Sequence, residues 1–457
     1  LWPFAISIVL FSLVLDRIGY RVAMYFAFVC HVASALITIF GPGMMSPYWA
    51  LYFGAFIGAL GNGTIEAVIN PVVATVFNRN KTQWLNRLHA GWPGGMLVAG
   101  LLAIAASKMN LNWQVQVGLI LIPTIIYGLM MLKVQFPVSE RVSAGVSYID
   151  MLREVGALGA LVAVALITAE VGRVFGLPNA VKIGMIIVLV GGYGAYTKSI
   201  GQPLFVFLLL VMMPLATTEL GTDSWITPLM EGSMKQLGLP AVSVLLWTSF
   251  IMMCLRFMAG PIVHALSPIG LLMASAAIAA VGLYSLSLAS GLAILFAATF
   301  YAFGKTFFWP TMLGIVAERF PRGGAMTLNT IAGVGMLSVG IVGAPFLGFV
   351  QDNAIDKNLA AYDAAHNSAL HSTYVTEAKE SVFGNYTALD SKKVEAAPEA
   401  DKTEIKSETE KATKGALRTV AILPCVMLVC YILLFLYFKS QGGYQQVHLD
   451  TSAANEY

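Results

Sequence analysis

Charged residues are scarce in this sequence: Asp, Glu, Lys and Arg make up 11% of 457 residues, where a soluble domain carries about 25%. So few charges cannot supply the polar surface that a water-soluble chain of this length exposes, and a bilayer removes that need. With 58% hydrophobic residues, the composition implies an all-α polytopic protein embedded in a lipid bilayer. A formal net charge of +3 leaves no basic face for nucleic acid and no acidic tail. The four cysteines, Cys30, Cys254, Cys425 and Cys430, lie scattered in apolar runs, which excludes a disulfide framework or a paired-thiol metal site. The six histidines, His31, His89, His264, His366, His371 and His448, give no His-Glu-x-x-His or other metal spacing. No metal, no cofactor and no enzymatic activity are therefore expected.

What is present is a series of long apolar runs. A hydrocarbon core of about 30 Å takes about 20 mostly apolar residues per helix. Runs of this kind lie near 1–15, 22–41, 48–77, 88–107, 113–132, 156–172, 183–197, 203–226, 241–262, 269–289, 291–317, 325–350 and 417–438. The first is short and opens on Leu1, so another helix is expected before it, giving about fourteen in all. The runs 156–172 and 183–197 also suit interfacial or re-entrant helices. Glu170 and Arg173 in the first of these have the i, i+3 spacing of a local ion pair.

Lys and Arg in short loops set the orientation. One side collects Arg17, Arg21, Arg79, Lys81, Arg87, Lys133, Arg141, Arg153, Lys198, Arg256, Arg319, Arg322 and Lys439, and the other only Lys108, Arg173, Lys182 and Lys235. The richer side is expected to be cytoplasmic, with the C-terminal tail 439–457 on it, in a plasma or inner membrane. Residues 351–416 hold twelve acidic residues and eight lysines. A loop this long escapes the charge rule, and it reads as an extracytoplasmic spacer, with a solvated helix or disorder between 389 and 416.

An internal repeat joins the two ends of the chain. Arg17 and Arg256 stand 239 residues apart, as do Pro71 and Pro310, and Leu85-Asn86 recurs as Leu328-Asn329 before a second glycine-rich helix. An even number of runs separates the copies, so they share one orientation, which is the parallel-repeat plan of some transporters. The organisation expected is an N-terminal bundle at 1–132, a cytoplasmic linker at 133–155 and a two-helix insertion at 156–198. A C-terminal bundle at 199–350 and 417–438 completes it.

Few ionisable groups fall inside the apolar runs: Glu66, Glu170, Glu219, Asp223 and Lys305, with Arg256 near a cytoplasmic end. A charge at the bilayer centre costs about 2.5–3.5 kcal/mol on insertion scales, so such groups are functional candidates. Asn62, Glu66 and Asn70 follow i, i+4, i+8 spacing along one helix face, and Tyr301, Lys305 and Trp309 do the same on another. Lys305 is a candidate counterion for Glu66 or for Glu219. His89 and Trp92 open the run at 88–107. Gly221 allows the polar stretch Thr217–Trp225 to bend around a ligand.

The stretch Asp16-Arg17-Ile18-Gly19-Tyr20-Arg21 resembles the loop signature between helices two and three of the major facilitator superfamily, and Arg256 with Gly260 resembles its degenerate second copy. The segment Gly61-Asn62-Gly63-Thr64-Ile65-Glu66-Ala67-Val68-Ile69-Asn70-Pro71, followed by Leu85-Asn86 and Gly95, is similar to the fucose-permease branch of sugar-proton symporters. The resemblance implies two six-helix bundles, with the first helix missing here and the 156–198 hairpin inserted between them, as in fourteen-helix relatives. It implies a monomer that moves a sugar-like polar solute with protons by alternating access. Glu66 would be the proton-coupling group. Asn62, Asn70, His89, Trp92, Glu219, Asp223, Tyr301, Lys305, Trp309 and Asn329 would bind substrate, and Asp16, Arg17, Gly19, Arg21 and Arg256 would gate. His89 and Trp92 stand where that branch has amides, so proton coupling is better supported than sugar identity. A proton-driven exporter of drugs or metabolites and a transporter-like sensor are the alternatives.

Overall fold

A computed structural model describes residues 2–223, 234–235, 238–375, 379–381 and 383–449. Ser224 and Trp225, which close the polar stretch that begins at Thr217, and the tail beyond 449 lie outside the described residues. Among those described, ten helical segments are long and apolar enough to cross a membrane. The thirteen apolar runs correspond to these and to shorter pieces. Helix α1 (Trp2–Phe40) contains the first two runs, divided at Gly19, whose φ of 79° only glycine adopts without strain. The turn folds the helix back on itself, so that Phe11 and Phe26 meet with ring centroids 5.2 Å apart.

Next come α2 (Pro47–Val76), α3 (Lys81–His89), α4 (Gly91–Lys108), α5 (Trp113–Gly118) and α6 (Leu121–Met131). The run at 88–107 is thus preceded by a separate helical turn, with the break at Ala90. A short α7 (Glu140–Ser143) leads to the hairpin α8 (Tyr148–Val174) and α9 (Asn179–Thr197), where Glu170 does pair with Arg173, at 2.7 Å. Helix α10 (Pro203–Ala216) continues into a π turn at Thr217–Gly221. Two threonine hydroxyls there bond back to the preceding turn, Thr217 Oγ1 to the Met213 carbonyl and Thr218 Oγ1 to that of Pro214.

Then follow α11 (Ser243–Phe257), α12 (Ala259–Leu288), α13 (Ala293–Lys305), α14 (Phe308–Arg319), α15 (Gly324–Ser338) and α16 (Ala344–His366). The run 291–317 is therefore two helices, broken at Thr306 and Phe307. Helices α14 and α15 are buried along nearly their whole length, and with α10 they form the main core around Phe205, Leu208, Met212, Phe308, Met312, Ile331 and Leu337. The long apolar faces of α4, α6 and α9 remain exposed, as lipid-facing surfaces of a membrane protein are.

The described residues between 351 and 416 are folded rather than a bare spacer. Helix α16 runs on to His366 and is followed by α17 (Leu370–Tyr374), an antiparallel hairpin of β1 (Lys379–Ser381) and β2 (Gly384–Tyr386), α18 (Ser391–Glu395) and α19 (Glu399–Val420). They share a small core of Ile355, Leu359, Leu370, Tyr374, Ala397, Ile405 and Ala412. Asp363 accepts from the Leu370 and His371 amides, and the Tyr374 hydroxyl donates to Asp401 at 2.6 Å. The described residues end with α20 (Ile422–Ser440) and an irregular segment that reaches 449.

Candidate functional site

A cavity of about 530 Å³ lies among α1, α2, the α3–α4 break, α10, α11, α14 and α15. Phe4, Ile65, Ile69, Leu220 and Met336 supply apolar wall; Asn62, Glu66, His89, Trp92, Glu219, Arg256 and Trp309 supply the polar and aromatic groups. Seven residues singled out from the sequence thus meet in one space, although they are spread over 247 positions.

Helix α2 positions Glu66. Asn70, one turn on, donates its amide to Glu66 Oε1 at 2.9 Å, and its carbonyl oxygen meets His89 Nε2 at 2.9 Å. Because Asn70 Oδ1 can only accept, His89 Nε2 carries the hydrogen. That nitrogen lies 3.9 Å from Glu66 Oε1. Asn70 itself is fully buried and supports the cavity wall from behind.

The opposite wall carries an ion pair. Arg256 Nη2 reaches Glu219 Oε1 at 2.6 Å, while the second oxygen of Glu219 accepts from the Trp309 backbone amide at 2.8 Å. The same guanidinium donates through Nε to the Thr306 carbonyl and through Nη1 to the His89 carbonyl, at 2.7 and 2.8 Å. Arg256, a gating candidate from its place near a helix end, does lie in the last turn of α11. It is 1% exposed at the cavity and ties α3, the π turn after α10, α11 and the α13–α14 break together.

Besides Asn70, four expected substrate ligands do not line the cavity: Asp223, Tyr301, Lys305 and Asn329. Lys305 pairs with neither Glu66 nor Glu219, the two counterions considered from the sequence; it is fully buried and its partner is Asp223. Tyr301 is also fully buried, its hydroxyl bonded to the Thr218 carbonyl and to Thr222. The break after Lys305 turns Trp309 into the cavity and leaves Tyr301 and Lys305 behind, so the three do not form one face. Asn329 is buried and donates to the Ala67 carbonyl at 3.1 Å, joining α15 to α2.

The loop at 16–21 contacts the segment between α6 and α8. Asp16 accepts from Arg141 at 2.5 Å and from the Ser139 hydroxyl at 3.1 Å. Arg17 lies 5.1 Å from the Tyr148 ring centre, and Arg21 donates to the Val134 carbonyl at 2.8 Å. Nearby, Lys81 bonds Glu140 at 2.6 Å and reaches the Ala317 carbonyl, and Glu318 Oε1 takes both the hydroxyl and the amide of Thr82. These bonds close the basic end of the molecule.

Sequence reasoning used Lys81 and Arg141 only to set the orientation and passed over Ser139, Glu140 and Glu318, because loop side chains look alike until the fold pairs them. It also passed over His31 and Tyr127. His31 Nδ1 meets the Tyr127 hydroxyl at 2.8 Å and its Nε2 meets Asn62 Oδ1 at 3.0 Å. The signal that could have found it is a histidine inside an apolar run. Among the described residues no group of three or more His, Cys, Asp or Glu could hold a metal.

The sequence model of the Major Facilitator Superfamily matches residues 1–345. The chain belongs to this superfamily. Solved superfamily members share its fold. The E. coli fucose:proton symporter FucP superposes with a TM-score of 0.58 at 13% identity, over 94% of this chain and 88% of that one. The proton:xylose symporter XylE gives 0.54 at 16% identity, over 80% and 78%. An auto-inhibited peptide transporter of the POT family gives 0.53 at 13%, over 98% and 88%. Comparison with curated protein sequences found no match.

Proposed function

We propose that this superfamily member is a proton-coupled symporter for a neutral sugar or similar polyol. Two parallel bundles, 1–132 and 199–350 with 417–438, would rock about the cavity, with the 156–198 hairpin inserted between them. The observation that carries the reading is the electrical company of Glu66. Glu219 is held by Arg256 and Asp223 by Lys305. Glu66 has the Asn70 amide and the His89 imidazole beside it and no Lys or Arg within ion-pair distance among the described residues. It can therefore gain or lose a proton without stranding a buried partner, whereas protonating either of the others would leave a cation unpaired in a dry wall.

The substrate reading rests on the same geometry. Arg256 is engaged by three acceptors, Glu219 among them, and among the described residues lining the cavity there is no other Lys or Arg to hold an anion. The indoles of Trp92 and Trp309 offer flat apolar surfaces for a sugar ring, and Asn62 offers an amide to its hydroxyls. The fucose and xylose symporters whose fold it shares support this class. The basic end is assigned to the cytoplasm by the positive-inside rule, in a plasma or inner membrane, with a monomer as the working unit.

The test is uptake of labelled fucose and xylose into proteoliposomes under an imposed proton gradient. Wild type should accumulate a sugar above its external concentration, and Glu66→Gln should equilibrate it without accumulating it. Equal accumulation by both would remove Glu66 from the coupling step. The largely apolar wall of Phe4, Ile65, Ile69 and Met336 favours, as the second reading, a proton-driven exporter of amphipathic metabolites. Gradient-dependent efflux with no sugar uptake would select it.

A further inference from the structure

A chain of polar side chains crosses the first group of helices behind the cavity, from Tyr127 on α6 through His31 on α1 to Asn62 on α2. Its hydrogen-bond directions follow from the amide oxygen and a neutral imidazole. Asn62 Oδ1 can only accept, so His31 Nε2 carries the hydrogen and donates to it. In the neutral ring His31 Nδ1 is then a bare lone pair, and the Tyr127 hydroxyl donates to it. The carboxamide of Asn62 is thereby pinned by its oxygen, and its Nδ2 has no protein partner at the cavity wall among the described residues.

The helices are built to bring this chain together. A Cβ added at Gly61 would sit 2.8 Å from the His31 ring, and one at Gly128 would sit 2.4 Å from the Phe28 ring, so α2 and α6 approach α1 at distances that only glycine allows. The Tyr127 ring packs edge-on against Phe28 and His31, with centroids 5.8 and 5.9 Å away. A lone histidine satisfied for packing alone would not need a second partner in line with a cavity amide.

We infer that His31, held by Tyr127, is a positioning residue that makes Asn62 an obligate hydrogen-bond donor to an acceptor oxygen of the transported solute. The inference rests on the sugar-symport reading for the identity of the solute, but the tautomer it requires does not.

The experiment has two arms. In the first, the protein with 15N-labelled histidine is examined by solid-state NMR in liposomes, and the His31 signal is assigned by its loss in His31→Gln. The neutral form with hydrogen on Nε2 is expected, and hydrogen on Nδ1 would overturn the inference. In the second, uptake of labelled fucose and xylose is measured for His31→Gln, whose amide can still donate to Asn62, and for His31→Leu, which cannot. The half-saturation concentration should rise about five- to tenfold in His31→Leu with the maximal rate nearly unchanged, and stay within about twofold of wild type in His31→Gln. Equal half-saturation in wild type and His31→Leu, or an equal loss in both variants, would overturn it. Should wild type transport neither sugar, the symport reading fails, and the tautomer alone decides whether Asn62 is held as a donor.

Discussion

Glu66 and Glu219 line one cavity in opposite electrical surroundings, and this contrast is the ground on which Glu66 is proposed as the proton carrier. Glu219 is bound by a guanidinium and a backbone amide, and Glu66 by an amide that also holds His89. Removing one member of a buried ion pair costs about 3–5 kcal/mol because the other is left uncompensated. Arg256→Gln should therefore lower thermal stability in detergent by about that amount. The double variant Arg256→Gln with Glu219→Gln should recover most of the loss, and melting curves for the four proteins of the cycle check this. If the single and double variants melt together, the pair is not the stabilising unit described here. The buried charges were legible in the sequence because a bilayer makes every ionisable residue conspicuous. Their pairing was not, since Lys305 and Asp223 lie 82 positions apart and meet only through the fold.

At the scale of elements, helical spacing was a sound guide where the helix is regular and a poor one where it is broken. Along α2 the i, i+4 relation of Glu66 and Asn70 became a hydrogen bond. The same spacing applied to Tyr301, Lys305 and Trp309 failed, because α13 ends at Lys305 and a new helix begins at Phe308. The charge-rich composition of 351–416 suggests a spacer, yet seven of its buried residues converge on one small core. Such a core has little stability to spare. Leu359→Ala, which removes a fully buried side chain at about 2–5 kcal/mol, should speed proteolysis within 391–414 about tenfold or more while the spanning helices stay intact. Cleavage at the wild-type rate would mean that Leu359 contributes nothing to holding α16 and α19 together.

Across the whole molecule, the basic end is closed by contacts between distant parts of the chain. Thr82 bonds Glu318 Oε1, and the other oxygen of Glu318 accepts from Tyr444 at 2.7 Å in the C-terminal tail. Gln446 reaches the Asn78 carbonyl at 2.5 Å, Arg319 the Gln445 carbonyl at 2.7 Å, and the Val447 amide the Glu318 carbonyl at 2.9 Å. Burial and the neighbouring Glu318 carboxylate push the Tyr444 phenol well above its ordinary pKa, so it remains a donor at any working pH. The tail thus straps 78–82 to 318–319. Removing residues 441–457 should make a cysteine introduced by Ala90→Cys, in a background without the native thiols, react several-fold faster with a reagent supplied from the basic side. An unchanged rate would show that the strap does not hold that side closed.

These contacts close one end of a cavity in which Glu66 is the proposed coupling group. The measurement that bears on this most directly is proton movement evoked by sugar. Proteoliposomes with no imposed gradient are given fucose or xylose, and the external pH is followed. The account predicts a transient alkalinisation with wild-type protein that is absent with Glu66→Gln, although the variant still exchanges labelled for unlabelled sugar. An equal alkalinisation with both proteins would contradict it, for the proton would then travel on another group.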